Sequence, residues 1–259
     1  MDLFDLRGKN AVVIGGAGGL GQAIAQGFAM AGAKTVIASR SEESLRRAQT
    51  EIKTACGADV DFVSVNATDE ESVADLVNKT VSDLGKVDIL VCAQGLNKKF
   101  PAEDFPADIF RDMMEVNVIG VMLCCKHFGK HMIGNGYGKI IIIGSTRGAV
   151  AMLGSGNSAY CTSKGAIVMM TKQLAAEFGP HGITVNALAP TVTETPMMST
   201  VIEQRGGDAY RKALADRLPM NRMATPEDCV GSAIFLAAHA SDFVTGNIIY
   251  ADGGFTAVG

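Results

Sequence analysis

The stretch Ala11-Val12-Val13-Ile14-Gly15-Gly16-Ala17-Gly18-Gly19-Leu20-Gly21 decides the fold. An apolar run of strand length enters a cluster of glycines, and an amphipathic helical pattern leaves it. The run has no period-two alternation, which predicts a strand covered on both faces, as in a parallel sheet. Glycines let the backbone turn tightly. The helix beyond them offers unsatisfied N–H groups and the positive end of its dipole. Strand, glycine turn and helix in that order predict a seat for a pyrophosphate, and hence for a dinucleotide.

The same rhythm continues outward from this loop. Buried-strand runs are read at 11–15, 35–39, 61–65, 89–93, 139–144, 184–188 and 247–251. Helical patterns lie between them at 21–31, 42–55, 70–84, 107–132, 158–178 and 226–238. Thr68 and Asp69 precede an acidic first turn, and Thr225-Pro226-Glu227-Asp228 sets a cap, a proline and two acids in order. Such alternation predicts βαβ units with right-handed crossovers, hence a doubly wound α/β sheet. With no repeat or linker, residues 1–259 read as one domain. The exception to the rhythm is 191–217, of mixed polarity, with a Pro-Met-Met turn, a Gly206-Gly207 break and a helical patch near 210–217. An insertion of this length predicts a lid over a site.

Composition narrows the function. The 259 residues are 47% hydrophobic and 19% charged, enough for a large core, and the formal net charge is -4. That balance gives no electrostatic reason to expect nucleic acid. No apolar run approaches a membrane span, and the N-terminal acids Asp2 and Asp5 do not fit a secretory signal. The six cysteines contain no C-x-x-C pair and read as reduced thiols, so a cytoplasmic protein acting on a small molecule is expected. His127 and His131 stand one helical turn apart, but no third ligand accompanies them and no metal is expected.

Tyr160-Cys161-Thr162-Ser163-Lys164 places a phenol and an ammonium four residues apart on one helix face. A neighbouring cation favours the phenolate, so Lys164 is expected to lower the pKa of Tyr160 toward neutrality. Tyr160 then exchanges a proton with a substrate oxygen.

These residues carry a resemblance to the short-chain dehydrogenase/reductase family, covering the chain from about residue 6 to its end. The glycine loop is similar to T-G-x-x-x-G-x-G, with Gly15, Gly19 and Gly21 matched and Ile14 replacing the threonine. Tyr160 and Lys164 match Y-x-x-x-K. Ser145, at the end of the fifth strand, matches the serine that bonds the substrate oxygen, and Asn117 the asparagine that completes the tetrad. Ser145 lies two residues farther from Tyr160 than in many members, which reads as an insertion in the loop 146–159. Ser155 and Ser158 are the alternatives. Cys92-Ala93-Gln94-Gly95 stands for N-N-A-G, keeping only Gly95, and Asn186 to Thr191 resembles N-x-x-x-P-G with Thr191 for the glycine.

The resemblance implies a Rossmann-type sheet of about seven strands and a nicotinamide dinucleotide. Its seat would comprise Gly15, Gly18, Gly19, Leu20 and Gly21 at the phosphates, and Asn66, Ala67 and Gly95 at the adenosine side. Tyr160, Lys164, Pro190, Thr191, Thr193 and Thr195 would meet the nicotinamide half. The second strand ends in Ser39-Arg40, a hydroxyl and a guanidinium where NAD-selective sites carry a carboxylate. That charge favours NADP over NAD.

Asn97, Lys98 and Lys99 follow the fourth strand, and Asn157 precedes Tyr160 by three residues. With Ser145 and Tyr160, the residues Asn97, Lys99 and Asn157 are the expected substrate contacts. The resemblance extends to members acting on sugars and sugar acids, such as the gluconate 5-dehydrogenases. A sugar, polyol or sugar-acid alcohol/ketone pair is therefore expected. The alternatives are a 3-oxoacyl-[acyl-carrier-protein] reductase and a catalytically silent dinucleotide-binding regulator. The family also implies a homotetramer or homodimer.

Overall fold

A computed structural model describes residues 3–153 and 156–258. Seven strands form one sheet: β1 (Asn10–Ile14), β2 (Lys34–Ser39), β3 (Asp61–Ser64), β4 (Ile89–Cys92), β5 (Gly138–Ile143), β6 (Ile183–Pro190) and β7 (Ile248–Ala251). Their order is β3-β2-β1-β4-β5-β6-β7, and every pairing is parallel. This is the doubly wound α/β sheet that the strand–helix alternation predicts.

The absence of alternation in the central strands has a direct cause. Side chains of successive residues enter two separate cores. Val12, Ile14, Leu90, Cys92, Ile140 and Ile142 face one, while Ala11, Val13, Ile89, Val91, Ile141 and Ile143 face the other. The first core is closed by α3 (Glu70–Leu84), α5 (Gly120–Asn135) and α6 (Ser158–Phe178). The second is closed by α1 (Gly19–Met30), α2 (Glu42–Cys56) and α9 (Val230–Ala237). Each large aliphatic side chain covered in this way contributes roughly 1.5–3 kcal/mol. Asp69 caps α3 by accepting from the N–H groups of Glu71 and Ser72, at 3.0 and 3.2 Å.

Three helical expectations change. The pattern read as one helix over 107–132 is α4 (Ala107–Met114), a π turn (Glu115–Ile119) and α5 in one continuous run. Apolar spacing marks the buried stripe but does not reveal an extra residue inside the turn. The helix read from residue 226 opens as a tight 3-10 turn (Pro226–Cys229) before α9. There the Asp228 carboxylate accepts from the Thr225 N–H at 2.8 Å and pairs with Arg222. The 191–217 segment holds two helices, α7 (Pro196–Gln204) and α8 (Asp208–Ala215). Thr195 and Pro196 are the cap and first-turn proline of α7, a start signal hidden in what reads as a turn.

Strand order reverses between β1 and β4, so the loops after these two strands diverge and leave a crevice at their C-terminal ends. Among the described residues, no helix is long and apolar enough to cross a membrane. His127 and His131 are used structurally: the first bonds Glu70 at 3.0 Å, and the second accepts from the Val87 N–H at 3.2 Å.

Candidate active site

The crevice begins at the glycine loop. Gly15 has φ +80°, and a Cβ there would lie 2.7 Å from the Ala93 backbone of the neighbouring strand. A Cβ at Gly21 would collide with the Gly15 carbonyl, so α1 starts hard against the loop. Beyond Gly18 the space is open, and no side chain caps the first turn of α1. The N–H groups of that turn are left available to an anion. An uncapped helix start facing open space fits a pyrophosphate.

From this point two cavities extend along the edge of the sheet, and both are bordered by Ala93, Gln94 and Gly95. One is lined by Gly15, Gly18, Ser39, Arg40, Asn66 and Ala67. Its Asn66 carbonyl oxygen is already engaged by the Thr68 hydroxyl at 3.0 Å. The Arg40 side chain is exposed and has no acidic partner among the described residues. The other cavity is lined by Leu20, Ser145, Tyr160, Lys164, Pro190, Thr191, Thr193 and Thr195, together with Asn97, Lys99 and Asn157. The two cavities thus adjoin along the end of β4, one reaching the glycine loop and the other Tyr160. Lys98 is not part of either lining. Ser158 borders a neighbouring cavity instead, and Ser155 lies outside the described residues.

Ser145 lies two residues beyond the end of β5 and Tyr160 rises from the first turn of α6, so sheet and helix bring the two side chains to one cavity. The Ser145 hydroxyl lies near enough to the phenol to favour its ionised form. Lys164 is 4% exposed. Its Nζ donates to the Ile143 carbonyl at 2.7 Å and sits 5.6 Å from the centre of the Tyr160 ring. Burial pulls this ammonium down to about 8.

The phenol departs from expectation. Burial pushes Tyr160 above its usual value, while the Ser145 hydrogen bond and the charge of Arg147 oppose that rise. Burial therefore outweighs the lowering expected from the Lys164 spacing. The amine lies beneath the aromatic face and spends its shortest bond on the strand carbonyl.

Asn117 sits in the π turn and is fully buried. Its Oδ1 accepts from the Leu96 N–H at 2.7 Å, and its Nδ2 donates to the Leu96 carbonyl at 2.8 Å and to Ser163 Oγ at 3.0 Å. Ser163 in turn donates to the Tyr160 carbonyl at 2.8 Å. Asn117 therefore ties the loop after β4 to the helix carrying Tyr160. Ser163 escapes sequence reading because a small residue between Tyr160 and Lys164 carries no signal until its neighbours are placed. Arg147 and Gln94 also line the Tyr160 cavity without having been singled out.

The comparisons with known proteins agree with this geometry. The family model described as Enoyl-(Acyl carrier protein) reductase matches residues 15–256. The chain is 35% identical to gluconate 5-dehydrogenase of Gluconobacter oxydans (strain 621H), covering 98% of this chain and 97% of that one. It is 32% identical to 5-keto-D-gluconate 5-reductase of Escherichia coli (strain K12), covering 98% and 97%. The crystal structure of a gluconate 5-dehydrogenase from Burkholderia cenocepacia J2315, in complex with NADP and tartrate, superimposes with a TM-score of 0.92 at 32% identity. It covers 100% of this chain and 99% of that one.

The chain belongs to the short-chain dehydrogenase/reductase family. As a member it is an NAD(P)-dependent oxidoreductase acting on CH–OH groups. Just beyond β4, Gln94 carries a buried Oε1 with no hydrogen-bond partner among the described residues.

Proposed function

We propose that this enzyme interconverts a secondary alcohol and a ketone on a sugar acid, using NADP(H). The observation that carries the reading is the meeting of Ser145, Tyr160 and Lys164 in one cavity that continues into the phosphate seat. When bound, the nicotinamide supplies or accepts the hydride at the carbinol carbon. Ser145 and Tyr160 hold the substrate oxygen between their hydroxyls. In the reductive direction Tyr160 gives that oxygen its proton, and in the oxidative direction it takes the proton back. Lys164 supplies the positive charge under the ring, and Asn117 keeps α6 and the loop after β4 in register. Gly15, Gly18, Gly19, Leu20 and Gly21 hold the pyrophosphate, with Asn66, Ala67 and Gly95 along the adenosine. Pro190, Thr191, Thr193 and Thr195 follow the nicotinamide. Residues 191–217 serve as the lid, since Thr195, Met198 and Leu214 reach the cavity from α7 and α8.

Reduction of 5-keto-D-gluconate with NADPH, assayed beside an acetoacetyl thioester, tests the substrate class. A clear preference for the thioester would replace this reading by the 3-oxoacyl-[acyl-carrier-protein] reductase.

The pH profile follows from Lys164. Its ammonium is charged below about 8 and loses its proton above. With the charge needed under the phenol, kcat/KM for ketone reduction should hold at neutral pH and fall as pH rises through about 8. A flat profile from pH 7 to 9.5 would separate Lys164 from proton transfer.

NADP is proposed over NAD because Ser39 and Arg40 present no carboxylate at the ribose end of the cavity. Arg40→Asp should lower kcat/KM with NADPH roughly tenfold to a hundredfold while sparing NADH, as loss of a charge-assisted phosphate contact implies. Steady-state kinetics with both cofactors reads this directly.

The protein is further read as a cytoplasmic homo-oligomer, either a homotetramer or a homodimer. Exposed Ile119, Met122 and Met169 on the run through α5 and α6 support assembly, and sedimentation would give the number of chains.

A further inference from the structure

Arg147 stands two residues beyond Ser145, in a 3-10 turn (Thr146–Gly148) that borders the Tyr160 cavity. Its Nη1 donates to the carbonyls of Val150 and Ala151, at 3.4 and 3.1 Å, and its guanidinium lies 5.0 Å from the centre of the Phe255 ring. Those contacts hold one edge of the planar group and its face. Among the described residues, no carboxylate pairs with it. Lys99 borders the same cavity and also lacks an acidic partner there. Burial holds the Lys99 ammonium below its usual value, and the charges of Arg205 and Arg147 press it further the same way. Cations are thus gathered at this end of the cavity, and no carboxylate is among the described residues that line it.

A second observation comes from Asn157, which is 7% exposed and lines this cavity. Its Oδ1 is buried without a hydrogen-bond partner among the described residues. A buried acceptor without a donor is costly, and such atoms in native sites are ordinarily filled by water or ligand. The backbone around it is pinned, since the Phe100 N–H donates to the Gly156 carbonyl at 3.1 Å. Asn157 therefore offers a fixed acceptor in the same cavity as an unbalanced guanidinium.

We propose that Arg147 seats the carboxylate of the substrate and that Asn157 Oδ1 accepts from one of its hydroxyls, making the pair the determinants of specificity for a hydroxy acid. This rests on the sugar-acid reading and adds the residues that recognise the acid. A planar fork suits a carboxylate better than the ammonium of Lys99, which adds charge at the rim.

The test compares 5-keto-D-gluconate with L-sorbose, its neutral counterpart in which the carboxylate is a hydroxymethyl group. The readout is the ratio of kcat/KM for acid over neutral ketone. Arg147→Leu should cut that ratio about thirtyfold, the range of a lost charge-assisted bond, and Arg147→Lys should cut it by an intermediate factor. A role through Tyr160 or through folding would lower both substrates alike and leave the ratio standing. A ratio within about threefold of wild type in the leucine variant therefore overturns the assignment. Should that variant not fold, the lysine variant decides by the same criterion. Asn157→Ala should raise KM for both ketones, which share the hydroxyls, and an unchanged KM removes Asn157 from the receptor. The sugar-acid reading itself fails by a separate result, a wild-type enzyme that reduces L-sorbose as well as the acid.

Discussion

Lys164→Met is expected to raise the melting temperature by several degrees while abolishing turnover. The ammonium is almost wholly buried, with one carbonyl as its short-range partner and no carboxylate among the described residues. Burial brings it from an ordinary 10.5 to about 8. A depression of that size costs the folded state on the order of 3 kcal/mol at neutral pH. Methionine has a similar length, needs no hydration and adapts to irregular space. In a domain of this size each kcal/mol is worth about 2–4 °C. The sign over pH follows from the same shift. Between about 8 and 10.5 the unfolded chain binds more protons than the folded one, so wild-type stability rises with pH across that window. The advantage of the methionine variant should thus be full below pH 8 and vanish by about pH 10.5. Thermal melts from pH 7 to 10.5 measure it. A variant less stable than wild type at pH 7 would mean that the amine is solvated or paired in solution. Removing the charge beneath Tyr160 should cost about 10²–10⁴ in kcat, the range of positioned proton transfer.

Tyr160→Phe should lower kcat by a similar 10²–10⁴-fold and leave NADPH affinity within a few-fold. The phenol lies in the cavity with Ser145 and carries a transferable proton, whereas the phosphate seat and the Lys164–Ile143 bond do not depend on its oxygen. Fluorescence titration of NADPH and single-turnover reduction separate the two quantities. Undiminished turnover in the phenylalanine variant would remove Tyr160 from proton transfer. Absent turnover in the wild type as well would leave a dinucleotide-binding regulator.

Much of this architecture is legible in the sequence because its strands are short apolar runs between strong punctuators. The second and fourth strands end within a residue or so of their expected positions, since Ser39-Arg40 and the Gln94-Gly95 turn break the pattern sharply. The glycine loop carries its own context. What stayed hidden depends on neighbours far along the chain. The electrostatics of Tyr160 cannot be read from i, i+4 spacing, because the Ile143 carbonyl that captures the amine lies 21 residues away. Arg147 carries no signal of its own in the sequence, because Phe255, the ring against its guanidinium, lies at the other end of the chain. Asn157 is nameable from its nearness to Tyr160, yet only burial reveals that its oxygen is orphaned.

The π turn at Glu115–Ile119 has a consequence for how this helix can change. It stores one surplus residue inside an otherwise regular run. Deleting any single residue there would mend the ladder of backbone bonds and favour the isolated helix, but it would rotate one side against the other by about 100°. Asn117 would swing off Leu96 and Ser163, or the whole apolar stripe of α5 would leave its core. A shift of phase along this run is therefore not tolerable, because it moves every buried side chain on one side of the turn at once.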